Sequence, residues 1–475
     1  MANENEKTEV AVIGAGPGGY PAAFLAADLG LEVTLIDPEE FPGGVCLYRG
    51  CIPSKALLHA AGVVTEAAQA ADWGITYPKP DIDVGKLRAW KDGVVGKFVS
   101  GLGQLSKMRK VKYIRGRASF TDPRTLEIIK TNGDTQKLSF EYAVISTGSR
   151  PAGIPGINIT SPHILDSTSA LDLPSVPKSM LIVGGGYIGL ELGTVYAALG
   201  TEITVAEMAT GLMPGADRDL VKVLQKRIEG IYKAVMLETK VTSLKQIDNG
   251  ILATVEQKGD KPAEMAFDKV LVSVGRKPNS EGIGLENTSV EKDARGFIKV
   301  DEYRRTKEPH IFAIGDVAGE PMLAHKATHE GRVVAEVLAG KKSAFEPNAI
   351  PAVVFTDPEI AWCGLTENEA REKKIPFTIA RFPWAASGRA STLDRPDGVT
   401  KLVLEPGTGR VLGVGIAGVG AGELISEGVL AVEMGALAED IALSIHPHPT
   451  LSETFMEAAE SFVSSSTHFY KSKKS

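Results

Sequence analysis

Cys46 and Cys51 are the residues with most to offer chemically, set five apart in Gly43-Gly-Val-Cys46-Leu-Tyr-Arg-Gly-Cys51-Ile-Pro-Ser-Lys55. Such a pair can bind a metal, form a structural bridge, or cycle between dithiol and disulfide. Zinc needs four N or S ligands; only Cys363 is left, and no histidine pair has ligand spacing. A structural bridge closing so small a loop stabilises little and suits an oxidising compartment, which three cysteines do not indicate. On a regular helix, positions i and i+5 are offset by about 7.5 Å along the axis, too far for a disulfide. The turn must therefore be distorted, with Gly50 loosening it and Pro53 denying the Arg49 carbonyl an amide partner. A strained bridge is easier to reduce, and a helix start stabilises a thiolate. Reversible thiol–disulfide exchange is the chemistry the pattern favours, with the other two readings still open.

Two glycine loops accompany the cysteines. Gly14, Gly16 and Gly19, and again Gly184, Gly186 and Gly189, fit G-x-G-x-x-G between an apolar strand and an Ala/Leu-rich helix. The first glycine permits a tight turn, the second lets a pyrophosphate approach the backbone, and the third lets helix pack on strand. Each helical stretch ends in Leu-Gly, and the strand after it ends on an acid, Asp37 or Glu207, 18 residues past the third glycine. These acids suit a ribose 2′-hydroxyl and repel a 2′-phosphate; no arginine occurs in 208–214. Two dinucleotides are expected, NAD rather than NADP if one carries nicotinamide. The alternative for each acid is a solvated strand end.

Positioning these groups takes a βαβ unit used twice, 170 residues apart. A strand at 141–146 runs into Thr147-Gly-Ser-Arg-Pro151, which reads as a domain crossing, and a similar strand at 270–274 ends in Gly275-Arg-Lys-Pro-Asn279. His310-Ile-Phe-Ala-Ile-Gly-Asp316 is a strand delivering an aspartate. From about 351 the pattern turns β-rich, with helices expected at 422–434 and 450–462. Similarity beyond the two nucleotide units is not evident.

Lys+Arg 52 against Asp+Glu 59 leaves a net charge of −7, which argues against nucleic-acid binding. Apolar runs stop well short of the ~18 residues a membrane span needs. The polar Met1–Lys7 does not look like a signal or transit peptide, so a cytoplasmic protein is expected; Lys471–Ser475 reads as a solvated tail.

Together these motifs resemble the flavoprotein disulfide reductases with paired redox cysteines, in the branch that oxidises dihydrolipoyl groups with NAD. The resemblance spans essentially the whole chain and includes Ile314-Gly-Asp-Val317, Met322-Leu-Ala-His-Lys326 and His446-Pro-His-Pro-Thr-Leu-Ser-Glu453. It implies an α/β fold with two Rossmann-like domains, for FAD (1–150) and NAD (151–276), a central domain (277–350) and an α+β dimerisation domain (351–475). FAD is implied on the first loop with Asp37, Gly44 and the rest of 37–46, Ala118, Thr147, Gly148 and Ala324, with Asp316 on its ribityl chain and Lys55 near the flavin. NAD is implied on the second loop with Glu207, Val241, Ser273 and Gly275. Cys46 is implied as the interchange thiol and Cys51 as the thiolate facing the flavin.

Lys55 is implied to pair with Glu191, although without the family both read as helix-face charges. His448 is implied to act as acid–base from the other subunit of a homodimer, oriented by Glu453. Thr450-Leu-Ser-Glu453 also matches a helix capping box, and Glu453 can serve both ends. His446 reads as structural and Cys363 as a buried small side chain; no metal is expected. The implied partners are lipoyl-bearing carrier proteins and the acyltransferase core of 2-oxo acid dehydrogenase or glycine cleavage complexes. Reduction of another disulfide, or a structural docking role, are the alternatives. The chain departs from the family pattern at Tyr48 and Arg49, where asparagine and a small apolar residue are common, placing the substrate rim in question. Asp37 and Pro447, in place of Glu and Ala, remove no reacting group.

Overall fold

The computed structural model describes residues 6–470; most of the polar start and all of the Lys471–Ser475 tail lie outside the described residues. Near-continuous apolar runs are what parallel strands buried on both faces require, and the second half of Glu6–Ile13, Val10–Ile13, follows that pattern. Val33–Asp37 pairs with it in parallel on one side, Val10 opposite Val33, and Thr135–Ile145 on the other, Val12 opposite Val144. The start of Lys112–Asp122 and the short Ile311–Ala313 complete the parallel part. Because side chains alternate across a strand, Val10 and Val12 pack on the helices Gly19–Asp28 and Ala324–Leu338, through Ala22, Ala23, Val334 and Ala335. Ala11 and Ile13 point the other way, into Phe120, Leu126 and Ile298.

A second sheet repeats the plan. Ala234–Met236, Glu202–Ala206, Ser179–Val183, Lys269–Val272 and Ile164–Leu165 lie side by side, all parallel. The repeat also extends beyond the βαβ units. In the first sheet Thr125–Lys130 makes an antiparallel meander with its long neighbours; in the second unit Thr239–Ile247, Gly250–Gln257 and Ala263–Phe267 form one at the same point in the strand succession. Meander strands carry only an alternating pattern and no motif, which hid this similarity in the sequence. The chain leaves the first unit through Ser149–Pro151 and returns through Arg276–Pro278, and these crossings pair antiparallel, Ser149 opposite Pro278.

Beyond 350, five antiparallel strands carry the helices Ala421–Met434 and Glu453–Val463 over a core of Phe382, Trp384, Ile425 and Phe455. Cys363 lies in this core, and burial pushes its thiol up to about 12, so it is packing rather than a nucleophile. The last helix begins at Glu453, not at 450. Thr450 Oγ1 donates to the Pro447 carbonyl at 2.7 Å instead of capping, and only the reverse half of the box forms, Thr450 N to Glu453 Oε2 at 2.7 Å. Among the described residues, no helix is long and apolar enough to cross a membrane.

Candidate active site

The two glycine loops are built alike. Gly14 and Gly184 have φ of +96° and +104°, and a Cβ on either would stand 2.3 or 2.6 Å from the carbonyl oxygen of Ser146 or Ser273. The acids then lock the loops from the neighbouring strand. Asp37 accepts from Ala15 N at 2.7 Å and Glu39 N at 3.0 Å; Glu207 accepts from Gly185 N at 2.6 Å and Ala209 N at 2.7 Å. Burial raises the Asp37 carboxyl against the pull of its two backbone donors. At the middle glycines the space is open: a Cβ on Gly186 would meet nothing, and one on Gly16 only the Gly44 Cα at 3.9 Å. Open backbone at the start of a helix, with an acid at the adjacent strand end, fits the pyrophosphate and ribose of a dinucleotide in both places.

A cleft of about 560 Å³ opens from the first loop. Gly14, Gly16, Asp37, Gly44, Cys46, Cys51, Lys55, Ala118, Thr147, Gly148, Glu191, Asp316 and Ala324 all line it. Gly19 does not; it packs beneath, where a Cβ would collide with the Gly14 carbonyl. Cys46 and Cys51 are joined as a disulfide with Cα atoms 4.8 Å apart. The segment holding them is no continuous helix: Gly44–Arg49 and Cys51–Gln69 are separate, broken at Gly50 (φ −145°, ψ −113°). Lys55 lies on the second helix, one turn past Cys51. Its Nζ sits 2.8 Å from Glu191 Oε2 and 4.4 Å from the Phe355 ring centroid. Glu191, itself buried, also accepts from Ser54 Oγ at 3.1 Å and Phe355 N at 3.0 Å.

Two family models match the chain: the pyridine nucleotide-disulphide oxidoreductase model over residues 8–331 and that family's dimerisation domain over 350–459. The chain belongs to this family. It is 49% identical to the dihydrolipoyl dehydrogenase of Vibrio parahaemolyticus over 97% of both chains, and 50% identical to that of Vibrio cholerae over 96% of both. Among solved structures it is similar to LpdA of Mycobacterium tuberculosis, with a TM-score of 0.88 at 25% identity over 96% of this chain and 99% of that one. The HOCl-induced flavoprotein disulfide reductase of Escherichia coli matches with a TM-score of 0.85 at 27% identity, over 96% and 99%. The cofactors of this oxidoreductase are FAD and NAD.

The oxidoreductase places its remaining candidates apart from the cleft. Ser273 Oγ donates to the Val183 and Gly184 carbonyls at 3.1 and 3.2 Å, bracing the second loop, while Val241 is buried in the core below it. Gly275, at φ +119°, opens the return crossing. His448 and Glu453 do not line the cleft of their own chain. His448 is largely exposed, with Nδ1 2.8 Å from Glu453 Oε1. His446 is half-buried, its ring between Glu427 Oε1 and the Ser444 carbonyl, both at 2.8 Å.

Sequence reasoning missed several residues around the cleft. Ser54 had a signal, its place beside Lys55; Phe355 had none. Ser149 Oγ bonds Asp316 and accepts from Arg276 Nε at 2.7 Å, coupling the aspartate to the paired crossings. Glu330, fully buried, accepts from Gly315 N at 2.6 Å and is neutralised by Lys326 and Arg304 at 3.0 and 3.1 Å, fixing the loop that carries Asp316.

Proposed function

We propose that the protein oxidises dihydrolipoyl groups on carrier proteins at Cys46–Cys51 and delivers the electrons to NAD⁺, as a dimeric component of a 2-oxo acid dehydrogenase or glycine cleavage system. The observation that carries this reading is the disulfide in the wall of the cleft that begins at the first glycine loop. The similarity to dihydrolipoyl dehydrogenases supports the substrate. In balance, dithiol and NAD⁺ give disulfide, NADH and a proton.

In this reading Cys46 receives the first substrate sulfur, the Cys46–Cys51 bond breaks, and the second substrate thiol displaces Cys46 to leave both protein sulfurs reduced. FAD, which the first loop, Asp37 and Asp316 would hold, would supply two-electron redox chemistry between the protein dithiol and NAD⁺. Lys55 is held beside the cleft by Glu191, and Asp316, which lines the cleft, would hold the ribityl chain. His448 takes the substrate thiol proton at Nε2, because Glu453 engages Nδ1.

His448 works on the cleft of the second copy. Support comes from its absence from its own cleft and from exposed Leu430, Met434, Leu443 and Ile445 within the dimerisation domain, the last 99% exposed. The division at 150, 276 and 350 belongs to the same reading, supported by the paired crossings. Cysteine usage supports the cytoplasm.

Adding dihydrolipoamide to the flavin-loaded protein is expected to give a long-wavelength absorbance shoulder, lost in Cys51→Ser; negligible turnover of dihydrolipoamide beside rapid turnover of another dithiol would overturn the substrate. Reassociating Cys46→Ser chains with His448→Gln chains is expected to restore turnover, since the mixed dimer keeps one intact site. A site complete within one chain would restore none.

A further inference from the structure

Tyr48 and Arg49 are the two residues between the cysteines that depart from the family pattern. Both reach back to the segment after Asp37. Tyr48 Oη donates to the Phe41 carbonyl at 3.0 Å and accepts from Phe41 N at 3.3 Å, and the Arg49 guanidinium pairs with Glu39 while lying 5.8 Å from the Tyr48 ring centroid. The same segment is held from outside by Tyr113 Oη on the Glu39 carbonyl at 3.1 Å, and by the Phe41 ring, which a Cβ on Gly103 would strike at 2.3 Å. Gly43 N bonds the Ala15 carbonyl at 2.8 Å, tying it to the first glycine loop. Asp37, Glu39, Gly44 and Arg49 all line the cleft, so this irregular stretch forms the wall at the ribose-binding acid.

We propose that Tyr48 and Arg49 clasp the segment from Asp37 to Gly44 over the cleft and so set how long FAD is retained. This rests on the reading of the first loop as the FAD site. A dinucleotide enclosed by an irregular segment leaves only when that segment opens, and opening breaks these contacts. Burial, with Glu39, Asp37 and Glu40 nearby, holds the Tyr48 phenol above its ordinary value despite its bond to the Phe41 backbone, so the hydroxyl keeps the proton it donates. The Arg49 side chain is 41% exposed and that of Glu39 24%, so salt screens their pairing, whereas it leaves the tyrosine bonds in place.

The test follows release of fluorescent FAD from the holoenzyme. Tyr48→Phe is expected to speed release by about 3–10-fold, the scale of the hydrogen bonds lost. Arg49→Val is expected to speed it by about 2–5-fold at low salt, and to abolish the acceleration that salt produces in the parent. Glu39→Arg and Arg49→Glu should each speed release, and their combination should slow it again, which general misfolding would not do. Unchanged release in Tyr48→Phe and Arg49→Val, with a raised KM for dihydrolipoamide instead, would overturn the clasp and return these residues to the substrate rim. Failure of the parent chain to take up FAD would overturn the functional reading itself.

Discussion

Glu453 uses both carboxylate oxygens, one on His448 Nδ1 and one on Thr450 N. Its partial burial works upward, but the Thr450 amide and His448 ring hold the carboxyl below its ordinary 4.5. A lowered folded pKa means that these bonds contribute stability above about pH 4.5 and lose it as pH falls through the folded value. Glu453→Gln should therefore unfold at lower urea than the parent near neutral pH, and the difference should shrink as pH falls below about 4.5 and through the lowered folded value. Turnover should fall by about 10–100-fold, with little change in KM, because the histidine loses its fixed tautomer. Glu453 thus touches both His448 and the backbone just before the last helix. Spacing allowed either role, and only the fold of 446–453 put both donors within reach.

Among the elements, the break at Gly50 matters most. A Cβ there would stand 3.0 Å from the Val45 carbonyl and 3.1 Å from the Cys46 Cα, so the backbone of the first short helix would have to give by a few tenths of an ångström. Gly50→Ala should press the two short helices apart and shift the cysteines toward the dithiol, by about tenfold for each 1.4 kcal/mol of crowding. Thiol titration in a graded dithiothreitol buffer reads this directly. The distortion was legible from spacing alone, because a regular helix cannot bring i and i+5 together. The start of the last helix was misplaced by three residues because Thr450 found a better acceptor in Pro447 than in its own helix.

Across the whole molecule, the second nucleotide unit is pinned to the dimerisation domain by buried charge. Lys401, 1% exposed on Val399–Leu404, places Nζ 2.7 Å from Asp217 and Asp219 and 3.1 Å from Glu367. Those three acids come close enough to hold a metal ion, but the ammonium takes that position. Asp219 is kept below its ordinary value by Lys401 and Arg381 in spite of burial. Lys401→Met would leave buried Asp217 without a counter-charge, while Arg381 and Arg371 still pair with Asp219 and Glu367, and should cost about 3 kcal/mol, read as a lowered urea midpoint. Nothing in the sequence marked this cluster, whose members lie up to 184 residues apart and follow no motif.

What the sequence alone determined was local chemistry at fixed spacing: two glycine loops with their acids, and a cysteine pair forced into a distorted turn. Each is legible because its geometry is set within one stretch of chain, by a strand–turn–helix or a single helical turn. The tertiary structure decided what depends on distant neighbours. It set Glu191 and Phe355 around Lys55, Glu330 beneath the loop of Asp316, and Lys401 among three acids. It also brought Tyr48 onto the Phe41 backbone and Arg49 onto Glu39. A buried charge or hydroxyl takes whichever partner packing brings within about 3 Å, and chain spacing does not encode that choice.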